Sequence, residues 1–260
     1  MSYSLFPPEE PQFNHDVVRP FVCFGNGWQL IKEQYFLYVG LCAVIVVAVS
    51  CIPFTGLLWG AWIAGIYSAM LGRMRGELAT FGGAVSTGFG VFGPTVVVAI
   101  LANLPFIPFG VGIKLISDWV DRSDAVYSGE QRTPDDVLVL QLEAFAGLIA
   151  LYIAAFFISG FIFPFAYQLV VDRKMKGWAA VKLSARASRA NFSGVLGLLL
   201  IELGLGAAGV LACCFGVVFV MPLTKAAWAI AYRDVFPPPP DSQPAIAPPP
   251  PPPPPVFSTV

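Results

Sequence analysis

Residues 171–191 read VDRKMKGWAAVKLSARASRAN and carry six of the fifteen Lys and Arg residues of the 260-residue chain. Long apolar runs flank them on both sides. Loops that stay on the cytoplasmic face of a membrane collect Lys and Arg, so this stretch fixes the side on which the other loops fall. At helical spacing Trp178, Val181, Ala185 and Phe192 share one side, with Lys182, Arg186 and Arg189 as a stripe beside them. That layout predicts a helix lying in the cytoplasmic interface with its cations near anionic headgroups.

Composition outside the stretch points the same way. Charged residues make up 12% of the chain, half the roughly 25% of soluble domains, while hydrophobic residues reach 57%. Such a chain has too little polar surface to cover itself in water. Six apolar runs are candidate spans: Tyr35 to Pro53, Leu57 to Gly72, Thr95 to Ile116, Val137 to Gln168, Gly194 to Ala212 and Val217 to Tyr232. Pro105 and Pro108 predict a kink in the third run, and Pro164 a bend in the fourth. The Gly-rich residues 78–93 read as an interfacial segment, and Asn26 as the cap of a short helix before the first span.

Counting charges tests this topology. Six crossings with a cytoplasmic N-terminus place 12 Lys and Arg residues inside and three (Lys114, Arg122, Arg132) outside. If the kinked third run were re-entrant the count would be seven against eight, which contradicts the positive-inside bias. The expected fold is therefore all-α, a polytopic membrane helix bundle with six transmembrane helices and interfacial amphipathic helices. It would occupy residues 25–236, between a mobile N-terminal tail (1–24) and a proline-rich disordered C-terminal tail (237–260).

Glu202 and Lys225 are the two charges set deep inside predicted spans, where ionisable groups are costly and usually find partners. Their midpoint falls in the link between the last two runs, so an antiparallel hairpin brings them to one depth as an intramembrane ion pair. A pair that fixes hairpin register and a coupling-ion, proton or substrate site are both open readings. Lipid headgroup binding is expected at Arg173, Lys174, Lys176, Lys182, Arg186 and Arg189. Phe236, Pro237, Pro238, Pro239 and Pro240 begin a tail of the kind that aromatic-lined grooves read.

Other motifs lack their context. Gly88 to Gly93 matches G-x-G-x-x-G by letter, but no strand precedes it and Pro94 follows. The aspartates around 118–136 lack the order of a calcium loop and read as a solvated acidic loop. One histidine, His15, lies in the expected tail, and no zinc or nucleophile motif appears, so no metal, cofactor or catalytic residue is expected. A weak internal echo links Gly27-Trp28-Gln-Leu-Ile31-Lys32 to Gly177-Trp178-Ala-Ala-Val181-Lys182.

The blocks GWQLIKEQYF, RMRGE with Phe81, FAYQLVVDRKMKGWAAVKLSARASRANF and MPLTKAAWAIAYRDVF resemble a family of uncharacterised bacterial integral membrane proteins. That family is similar in pattern to the membrane domain attached to some glycerophosphodiester phosphodiesterases. The resemblance covers about residues 25–236 and implies a six-helix bundle with cytoplasmic ends and no catalysis. The expected protein is a non-enzymatic scaffold or lipid-associated component of the bacterial inner membrane, both termini cytoplasmic. Its candidate partners are anionic lipid headgroups, a second copy of the chain and a proline-recognising module, with no nucleic acid. The alternatives are a small transporter or channel subunit using the Glu202/Lys225 level, and an intramembrane enzyme.

Overall fold

The computed structural model describes residues 12–51, 56–126, 134–212 and 216–238, and all regular structure among them is helical. In order these are α1 (Pro20–Ile31), α2 (Tyr35–Cys51), α3 (Gly56–Met74), α4 (Phe81–Gly90), α5 (Phe92–Asn103), α6 (Ile107–Val126), α7 (Pro134–Ile162), α8 (Ala166–Arg173), α9 (Gly177–Ala190), α10 (Phe192–Leu211) and α11 (Gly216–Val235). Three stretches, Phe92–Asp118, Leu142–Arg173 and Phe192–Leu211, are long and apolar enough to cross a bilayer, which makes this a membrane-associated helical protein. Of the six expected crossings, these correspond to the third, fourth and fifth.

The breaks between helices follow from prolines whose lost hydrogen bonds are replaced locally. Pro105 and Pro108 cannot bond back to the carbonyls of Leu101 and Leu104. A single 3-10 turn, Leu104–Phe106, supplies the substitutes: the Leu104 N–H donates to Leu101 O and the Ile107 N–H to Leu104 O. Ser159 Oγ, from α7, donates to Ala102 O at 3.1 Å and so covers the kink from a neighbouring helix. At the second break, around Pro164, the Phe165 N–H donates across the bundle to Ser184 Oγ of α9 at 3.1 Å.

That second break sends α8 into the middle of the molecule. Its residues Ala166 to Val171, Gln168 included, are buried on every face, packed among α3, α5 and α9. Small residues let the other helices close around it. Gly27 of α1 is so near α11 that a Cβ there would lie 2.9 Å from the Ala227 nitrogen, and Gly65 and Gly88 bring α3 and α4 into backbone contact.

Within the segment 78–93, α4 is a helix capped by Thr80, whose hydroxyl accepts from the Gly83 N–H at 3.2 Å, and it packs along α3. Two expectations change. Helix α1 starts at Pro20 rather than Asn26, as a proline at the first helical position allows. Residues 13–18, assigned to a tail, are pinned: the Asn14 N–H donates to Val235 O at 2.8 Å, the Val17 N–H to Asn191 Oδ1 at 3.0 Å, and Val18 is buried.

Candidate functional site

Helices α10 and α11 run antiparallel and set Glu202 against Lys225, with Nζ 2.9 Å from Oε1. Trp228 lies three residues beyond Lys225 on the same helix face, and its Nε1–H donates to Glu202 Oε2 at 2.7 Å. Both carboxylate oxygens are thus engaged. The two charged side chains nevertheless keep 19% (Lys225) and 18% (Glu202) of their surface accessible, because they form part of the wall of a cavity of about 370 Å³.

Six parts of the chain line the cavity, which is open on one side. Trp59, Ile63 and Tyr67 come from α3, Asn103 and Phe106 from the α5 kink, Phe156, Ser159 and Gly160 from α7, Phe163 and Tyr167 from the second break, and Leu199 with Glu202 from α10 opposite Lys225 and Trp228 of α11. Both proline breaks contribute to its wall, through Asn103 and Phe106 at the first and Phe163 and Pro164 at the second. Its wall combines aromatic rings with a few polar groups, the usual make-up of a small-molecule site. Tyr67, Tyr167, Asn103 and Ser159 were not singled out from sequence; Asn103 and Ser159, polar residues inside apolar runs, were the available signal.

A second polar centre closes one end of the bundle around Asp172, whose side chain is 6% exposed. Arg233 grips it through both nitrogens, at 2.9 and 2.8 Å, and Tyr232 donates to it at 2.8 Å. Arg75 at 4.0 Å and Arg173 at 3.5 Å complete the cluster. The C-terminal ends of α3, α8 and α11 therefore share one face of the molecule, on which Glu33 also pairs with Arg73.

The expected headgroup residues divide. Lys174, Lys176, Lys182, Arg186 and Arg189 are exposed, and Lys182 Nζ sits 5.4 Å above the Trp178 ring. Arg173 does not join them: it lies against Asp172 and donates to the carbonyl of Pro237. Of the residues expected on the membrane side, Trp178 and Phe192 are exposed while Val181 is buried in the bundle. Gly177, Ala180, Val181, Leu183, Ser184, Ala187 and Ser188 form the buried face of α9, against α5, α7 and α8, while Trp178 and Phe192 point outward. Most residues of that face are small, which lets neighbouring helices approach, and Val181 and Leu183 supply its apolar bulk.

The tail site changes too. Phe236 is fully buried against Phe13, Phe165 and Tyr232, so it belongs to the core and is closed to a partner. Pro237 and Pro238 are exposed. Pro239 and Pro240 lie outside the described residues. Among the described residues no three His, Cys, Asp or Glu side chains gather where they could hold a metal ion.

An all-helical, membrane-associated fold around an ion-paired cavity defines the class of protein. No family model, curated protein or solved structure matches the chain.

Proposed function

We propose that this protein is a six-pass bacterial inner-membrane protein, with both termini cytoplasmic, that binds a small solute at the Glu202/Lys225 level as a carrier or channel subunit. The observation that carries the reading is the cavity of about 370 Å³ with an ion pair in its wall. A pair kept only to fix hairpin register needs no cavity beside it. Here space is held open beside it by two proline breaks. The test is to incubate the full chain in nanodiscs with a polar extract of its host cells and identify retained small molecules by mass spectrometry. Wild type retains a solute that Ala102→Trp, which fills the cavity, does not. Equal recovery from both, or none from either, removes the reading.

A second reading, a lipid-associated envelope scaffold, is supported by the exposed cations along α9 and by the apolar pair α6 and α7. Ile107, Val111, Leu115, Phe145 and Ile149 of that pair are exposed. The two readings are compatible, because lipid contact on the outside leaves the cavity free. Recruitment through the tail has less support once Phe236 is part of the core.

A further inference from the structure

The charge balance of the cavity restricts what it accepts. Glu202 and Lys225 are the acid and the base in its wall, and they neutralise one another. A guest with a net charge would bring an uncompensated charge into a region of low dielectric, at a cost that no wall residue offsets. A guest with one ammonium and one anionic group adds no net charge and can pair with both.

The unused bonding capacity matches such a guest. Lys225 has three N–H donors and uses one of them on Glu202, while each Glu202 oxygen accepts one bond and retains a further lone pair. Ser159 Oγ donates to Ala102 O and can still accept. Around these groups Trp59, Phe106, Phe156 and Tyr167 offer ring faces and edges, suited to an apolar side group and attractive to an ammonium. The volume falls within the range of small-molecule pockets. We propose that the cavity binds a zwitterion bearing an apolar group, its ammonium on Glu202 and its anionic end on Lys225. The inference rests on the solute-binding reading above and names the class of solute. This chemistry occurs in a free aromatic amino acid and in the headgroup of an ethanolamine phospholipid.

The test uses the full chain in phosphatidylglycerol nanodiscs, with calorimetric titration of L-phenylalanine, of phenethylamine, which carries only the ammonium, and of 3-phenylpropionate, which carries only the carboxylate. L-phenylalanine is expected to bind at least tenfold tighter than either half. The double variant Glu202→Gln/Lys225→Met, shown by its thermal midpoint to be folded, loses that preference. Nanodiscs containing phosphatidylethanolamine separate the two sources: weaker L-phenylalanine binding there assigns the site to the lipid headgroup, and unchanged binding assigns it to the free amino acid. If either half-ligand binds as tightly as L-phenylalanine, or if the double variant binds it like wild type, the zwitterion proposal falls while solute retention in the extract experiment still stands. If no probe binds, the zwitterion proposal falls, and the extract experiment decides the wider reading by itself.

Discussion

Asp172 is a single carboxylate shared by its neighbour Arg173 and by partners from two distant places in the chain, and its near-complete burial makes it the most consequential charge outside the cavity. Asp172→Asn leaves the Arg233 guanidinium in place without its counter-charge, and removing one partner of a buried pair costs about 3 kcal/mol or more. The expected result is a thermal midpoint in detergent lowered by several degrees, with Arg233→Lys, which loses the fork, giving a smaller drop. An unchanged midpoint for Asp172→Asn would show that the cluster is not structural. Cys23 offers a chemical check on the same end of the bundle. It is fully buried with Sγ 3.9 Å from Asp234 Oδ2, and burial, then the Asp234 charge, pushes its thiol up to about 11. At pH 8 the folded protein should react with maleimide at Cys23 on the order of 10² times more slowly than the denatured chain, the gap narrowing as pH rises towards the thiol's own pKa. Equal rates would mean that α1 does not stay docked on α11. The two centres differ in how far sequence shows them. Glu202 and Lys225 stand out because charges are rare in apolar runs and a hairpin has a midpoint, whereas Asp172 merges into a basic stretch and its partners lie far away in the chain.

At the scale of elements, α3 and α4 show how a weak sequence signal becomes a tight interface. The run from Phe81 to Gly93 has too many glycines and too little periodicity to read as a packed helix. Those glycines are what the contact needs: a Cβ on Gly88 would collide with the Ala61 carbonyl oxygen, and one on Gly65 with that of Ala84. Gly88→Ala must push backbone aside and is expected to destabilise by about 2 kcal/mol, while Gly90→Ala, where a Cβ meets nothing within 4 Å, is neutral or stabilising. Thermal unfolding of the two variants side by side measures the difference, and similar midpoints would refute the packing account. The same logic applies on α9, where Gly177 packs inward against the α5 backbone and Trp178 stays exposed. The repeated Gly-Trp pair makes the point twice: Gly27 and Gly177 each touch the backbone of a neighbouring helix, and Trp28 and Trp178 each stay about half exposed. Periodicity shows that a helix exists; which side faces in depends on a partner that one segment does not reveal.

For the whole molecule, the meeting of Arg75, Asp172 and Arg233 ties the ends of α3, α8 and α11 to one face, which the proposed six-pass arrangement assigns to the cytoplasmic side. Helix content and the proline breaks are legible in the sequence because apolar run length and missing N–H groups are local properties. The burial of α8 and the anchoring of residues 13–18 are not, since both depend on contacts with distant segments. The six-pass arrangement makes a definite prediction. In a background without native cysteines, single cysteines at Gly76 and Lys174 should react with a membrane-impermeant maleimide only after the inner membrane is opened. One at Ser128, in the link between α6 and α7, should react in cells whose outer membrane alone is permeable. If Ser128 and Lys174 label under the same condition, then α7 and α8 do not together cross the bilayer. The Glu202/Lys225 level would then lie in a region that water reaches from one side, and the low dielectric on which the charge-balance argument for the cavity depends would be lost. Topology and ligand class are therefore linked, and the labelling experiment tests the premise of both.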